Sequence, residues 1–176
     1  MGLVQKPAGV KLFIAVMFQR TFELEKVLSL LTSRYGEIDR YYGPVDFTWS
    51  EYYGEEMGSD LLKYYAVFKS PMDRSLLPSI KNYTNDLESR FSVEGKRVVN
   101  IDPGYVARDK LALASTKDFY HRLYLGDGIY GEVTLHYRKG CFRYFSWTYP
   151  DYKEPEFVRF LEKARAGLVY GIRKGG

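Results

Sequence analysis

The strand predicted over residues 11 to 18 holds an unbroken apolar run, Leu12 to Phe18, between the polar flanks Lys11 and Gln19, the pattern of a central strand covered on both faces. Leu24, Val27, Leu28 and Leu31 then recur at helical spacing, with Thr21 as N-cap candidate and Gly36 as stop signal. A second extended segment, from about Ile38 to Trp49, is rich in Tyr, Phe and Val, and Tyr64 to Lys69 makes a third. Between them lies an acidic, Gly-punctuated loop from Glu51 to Asp60. A second helix is predicted from about Leu76 to Phe91, with Ile80, Tyr83 and Leu87 on one face and Pro78 in the first turn, where proline is tolerated. Arg97 to Ile101 reads as a short strand.

That order is β-α-β-β-α-β and predicts an α+β fold. Its ferredoxin-like core over 11–102 is an antiparallel sheet with both early helices on one face. A β-hairpin extension over 103–152 and a C-terminal helix over 153–171 complete one domain of 1–176, and the helix turns Phe157, Phe160, Leu161, Ala164 and Leu168 inward. One hairpin can be registered by its pattern. With Gly126-Asp127-Gly128 as a three-residue loop, Leu125 faces Ile129, Leu123 faces Gly131, His121 faces Val133 and Phe119 faces Leu135 on an apolar side. Arg122 then stands opposite Glu132, Tyr120 opposite Thr134 and Tyr124 opposite Tyr130 on the other.

Composition narrows the class. The chain has 176 residues, 45% of them hydrophobic, enough for a core without staples and too apolar for disorder. A single cysteine, Cys141, excludes a disulfide framework and a thiolate-rich metal site. The net charge of +4 and a pI near 9.0 suit a phosphate-bearing partner but fall short of a dedicated duplex DNA binder. No run approaches the roughly 20 apolar residues of a membrane span, and no targeting signal is found, so a cytoplasmic location is expected.

Candidate chemistry concentrates between Asn100 and Tyr152. The string Gly126 to Gly131 matches G-x-G-x-x-G, but Glu132 to Tyr137 alternate like a strand, so it reads as a hairpin turn. There is no G-x-x-x-x-G-K-[ST], which excludes a P-loop GTPase, and His121 and His136 are spaced for opposite faces rather than for a metal. His121, on the apolar side, is either a hydrogen-bonded core residue or a catalyst, and Arg122 with Glu132 is first a cross-strand ion pair. Asp102-Pro103-Gly104-Tyr105 and Tyr149-Pro150-Asp151-Tyr152 read as turns that carry Tyr at strand ends. Between Tyr105 and Arg143 seven Lys and Arg outnumber four acids and interleave with tyrosines, as phosphate contact plus stacking would use them.

Two functional readings are open. The first is a binding module for a phosphate-bearing ligand, nucleotide or single-stranded RNA, using Lys117, Arg122, Tyr105, Tyr120, Tyr124 and Tyr152. The second is a small acid-base enzyme drawing on His121, Glu132, Asp102 and Asp151, and on Glu55-Glu56, with a divalent cation held by the carboxylates. They differ in whether His121 and the carboxylates converge on one cleft.

The strings Asn100-Ile101-Asp102-Pro103-Gly104-Tyr105, Thr116 to Tyr124, Gly128 to Leu135 and Trp147 to Tyr152, with Tyr52-Tyr53-Gly54-Glu55-Glu56-Met57-Gly58 near the start, resemble an uncharacterised prokaryotic family catalogued as a domain of unknown function. Some members carry the label GTP-binding protein, and the resemblance implies no catalytic residues.

Overall fold

The computed structural model describes residues 2–49, 57–58 and 60–174. Strand β1 (Val10–Gln19) is followed by α1 (Leu24–Tyr35), β2 (Ile38–Asp46) and β3 (Leu61–Met72). A short 3-10 turn at Arg74–Leu76 leads into α2 (Leu77–Phe91), then β4 (Val99–Val106), β5 (Lys110–Ser115), β6 (Leu123–Gly126), β7 (Ile129–Arg138) and β8 (Cys141–Tyr144). A second 3-10 turn, Pro150–Lys153, precedes α3 (Pro155–Lys174).

All the strands form one antiparallel sheet in the order β2-β3-β1-β4-β5-β7-β6, with β8 also paired to β7. The predicted mixed fold with an antiparallel sheet is therefore present, but the sheet does not stop at four strands. The hairpin region continues it past β4, because β5 pairs with the edge of β4 that a four-stranded sheet would leave open. β1 is buried from Val10 to Phe18, as an apolar run covered on both faces requires.

Three layers result. Val27, Leu28 and Leu31 of α1 and Ile80 and Leu87 of α2 pack with Leu12, Ile14, Val16 and Phe18 on one face. Phe157, Phe160, Leu161 and Ala164 of α3 pack with Phe13, Ala15, Tyr65 and Val67 on the other. Thr21 is not the N-cap of α1, which starts after Glu23, whereas Gly36 ends that helix at φ 88°. Among the described residues no helix is long and apolar enough to cross a membrane.

Two sequence expectations shift with the strands. Asp102-Pro103-Gly104-Tyr105 lies inside β4 rather than in a turn, since β1 pairs with β4 through Val106. In the β6–β7 hairpin, Leu123 opposite Gly131 and Tyr124 opposite Tyr130 match the expected register, but Gly126 rather than Leu125 faces Ile129. The turn is the two-residue kind, with Asp127 at φ 53° and Gly128 at φ 76°, and Leu125 is the extra residue of a bulge. Strand β6 starts only at Leu123. Phe119 to Arg122 form a turn closed by the Arg122 N–H donating to the Phe119 carbonyl, so the expected apolar side of Phe119, Leu123 and Leu125 is exposed.

Candidate functional site

β4 pairs with β1 along its whole length but with β5 only over Gly104–Val106. In an antiparallel strand both backbone groups of alternate residues point to the same neighbour. On the β5 side these are Ile101, Pro103 and Tyr105, and Pro103 has no N–H to give. Next to it the strands are as close as they can be: a Cβ on Gly104 would lie 2.2 Å from the Ala112 carbonyl oxygen and 2.7 Å from Leu113 Cδ2. Beyond this tight point β4 and β5 part, and a cleft opens through the sheet.

Helix α2 fills the gap with side chains. Leu77, Lys81, Thr84 and Glu88 fall on one buried stripe of the helix. Lys81 Nζ donates to the Ile101 carbonyl at 3.0 Å and to Asp102 Oδ1 at 3.1 Å, while Glu88 Oε1 accepts the Ile101 N–H at 2.8 Å. The two backbone groups that a neighbouring strand would satisfy are thus satisfied by one helix. Arg97 donates to Glu88 Oε2 at 3.0 Å and to Asn100 Oδ1 at 2.9 Å, and Asn100 Nδ2 donates to Asp102 Oδ2 at 2.7 Å. Burial pushes the Glu88 carboxyl up against the pull of Lys81. Burial would do the same to Asp102, but Lys81, Lys63 and the Asn100 amide outweigh it and hold Asp102 below its ordinary value.

The opposite wall is built on Glu132. Leu111 pairs with Leu135 but Ala112 with Val133, so Thr134 is the extra residue of a β-bulge and Glu132 comes to face the same side as Leu113 and Leu135. There Glu132 Oε2 accepts from Arg122 Nε at 2.8 Å and lies 3.1 Å from His121 Nε2. Arg122 Nη1 also donates to Ser115 Oγ and to the Lys117 carbonyl, which ties the turn down. Burial raises the Tyr149 hydroxyl beside Arg122 and Glu132. At the floor, Lys63 Nζ at 2.5 Å and the Tyr65 hydroxyl at 2.8 Å both donate to Asp151 Oδ2. The cavity these groups enclose measures about 170 Å³ and is lined by five cations, Lys63, Lys81, Arg97, Lys117 and Arg122, and four carboxylates, Glu88, Asp102, Glu132 and Asp151.

Of the residues picked out from the sequence, Asp102, Glu132, Asp151, Lys117, Arg122 and Tyr152 line this cleft. His121 stands behind Glu132, stacked 5.1 Å from the Trp147 ring, with its side chain 9% exposed and Nδ1 buried without a hydrogen-bond partner. It is therefore neither on an apolar strand face nor open to the cleft. The two histidines do not end up on opposite faces: His121, Trp147, Phe145 and His136 form one column of rings. Tyr120 and Tyr124 are exposed, and with Tyr105 they are not among the cleft residues. Lys63, Lys81, Glu88 and Arg97 belong to no motif, and Asn100 and Tyr149 lie in quoted strings without having been picked as site residues, although charges at positions 81 and 88 on a helix's buried stripe are a legible signal. Among the described residues no three His, Cys, Asp or Glu side chains are grouped to hold a metal ion, and Glu55-Glu56 lie outside those residues.

No curated protein and no solved structure matches the chain. Residues 8–167 match the family described as Domain of unknown function (DUF4416), and by that match, which spans the whole sheet and most of α3, the chain belongs to that family.

Proposed function

We propose that the β4/β5 cleft binds a small phosphate-bearing ligand of mononucleotide size or less. The observation that carries this is the convergence of Lys117, Arg122, Lys81, Lys63 and Arg97 on one cavity of about 170 Å³. That volume is below the roughly 300–1,000 Å³ of drug-sized sites, so a phosphoryl group with part of a sugar fits better than a strand. Single-stranded RNA is disfavoured because the exposed rings that would stack bases, Tyr120 and Tyr124, do not line the cavity. We further read the first four strands, ordered β2-β3-β1-β4 with α1 and α2 on one face, as a ferredoxin-like unit extended by β5 to β8.

Titration of inorganic phosphate, AMP, GMP, GTP and a short single-stranded RNA at about 50 and 200 mM salt tests the proposal, since phosphate contacts weaken with salt. A mononucleotide is expected to bind, more weakly at the higher salt, and Lys117→Glu to reduce its affinity at least about ten-fold. Lys139→Glu, in the β7–β8 turn, should leave it unchanged. An unaltered affinity in Lys117→Glu overturns the proposal.

A small acid-base enzyme is the second reading, favoured by Asp102, Glu132 and Asp151 lining one cleft with Asp102 held ionised. Turnover of a bound nucleotide that Asp102→Asn abolishes, with binding kept, would select it.

A further inference from the structure

A second cavity lies at the other end of the sheet, where β1 and β5 begin and β3, β4 and β7 end. It measures about 440 Å³, and three arginines from distant parts of the chain line it: Arg74 in the turn before α2, Arg108 in the β4–β5 connection and Arg165 on α3. The helix bearing Arg165 covers one face of the sheet and the helix after Arg74 covers the other, so the arginines meet around the sheet's end.

The Arg165 and Arg74 guanidinium groups are held by something other than a carboxylate. Arg165 Nε donates to the Arg108 carbonyl at 2.5 Å, and its guanidinium carbon lies 3.4 Å from the Tyr137 ring centroid. Arg74 Nη2 donates to the Ala8 carbonyl at 3.0 Å, and its guanidinium carbon lies 5.5 Å from the Tyr105 centroid. Stacking on a ring fixes the guanidinium plane and leaves its N–H edges available to a ligand. Arg74 Nε is buried without a hydrogen-bond partner, and no side-chain partner of Arg108 is found among the described residues. The one carboxylate in the lining, Asp109, lies 3.4 Å from Lys110 Nζ. Three like charges around one cavity repel, and a buried donor left unpaired is unfavourable, so both features call for an anion that bonds several N–H groups at once.

We infer that Arg74, Arg108 and Arg165 form an oxyanion site for phosphate or diphosphate, separate from the β4/β5 cleft. Planar donor forks match the oxygen edges of such an anion, which chloride cannot imitate.

The test uses the whole chain labelled with nitrogen-15 and follows the arginine Nε–H resonances during titration with inorganic phosphate and with diphosphate, against chloride at equal ionic strength. Saturable shifts of the Arg74 and Arg165 signals are expected, tighter for diphosphate, with affinity reduced at least about ten-fold in Arg108→Ala. Arg165→Lys, which keeps the charge and loses the fork, should weaken binding as well. Lys117→Glu should leave these shifts intact, which separates this site from the cleft. The proposal is overturned if the wild-type signals do not saturate, if chloride shifts them equally, or if Arg108→Ala binds as the wild type does.

Discussion

Lys81 and Glu88, two turns apart on α2, hydrogen-bond the carbonyl and the amide of one residue of β4, Ile101. The pair replaces the strand neighbour that β4 loses beyond Gly104, and so allows the sheet to open into a cleft without leaving backbone groups unpaired. Both side chains are under a tenth exposed.

Removing one member should therefore be severe. Lys81→Ala removes the side-chain donor of the Ile101 carbonyl and the Lys81 charge beside Asp102 and Glu88, and is expected to destabilise the fold by about 3–5 kcal/mol, read from urea denaturation midpoints. A loss under about 1 kcal/mol would mean that the gap is held by other contacts.

His121 acts through Trp147 and Glu132 rather than through a strand face. His121→Ala should cost roughly 1–3 kcal/mol, from the lost stack and the lost partner of Glu132. His121→Phe, which keeps a ring against Trp147, should cost less. Equal melting temperatures for wild type and His121→Ala would show that the column of rings does not depend on it.

The cleft carboxylates give opposite pH signatures. Asp102 is held below its ordinary value of 3.8, so its contribution is present above that pH and is lost as pH falls through the depressed folded value. The stability gap between wild type and Asp102→Asn should narrow below about pH 4. Glu88 is raised above its ordinary 4.5 by burial, so its contribution falls as pH climbs from 4.5 through the folded value, and the penalty of Glu88→Gln should shrink over that window. Denaturation curves across the acid range that showed parallel behaviour of the two variants would contradict both assignments.

Local pattern alone determined much of this protein. The apolar run of β1, the helical spacing of Leu24, Val27, Leu28 and Leu31, and the inward stripe of α3 from Phe157 to Leu168 all form as the periodicity requires, because each buries a continuous face whatever lies beyond it. The pairing of Arg122 with Glu132 was legible too, although the turn between them is Asp127-Gly128 with a bulge at Leu125 rather than the three-residue loop that the pattern suggested. What only the tertiary structure decided came from irregularities that shift a register by one residue. The bulge at Thr134 turns Glu132 to the face of Leu135, and the turn before Leu123 takes His121 out of the strand and against Trp147. The parting of β4 from β5 brings Lys81 and Glu88, 20 and 13 positions upstream of Ile101, to that residue's backbone. A one-residue slip moves a side chain to the other face of a sheet, and an unpaired backbone group is satisfied by whatever lies nearest in space, so neither is written in local periodicity.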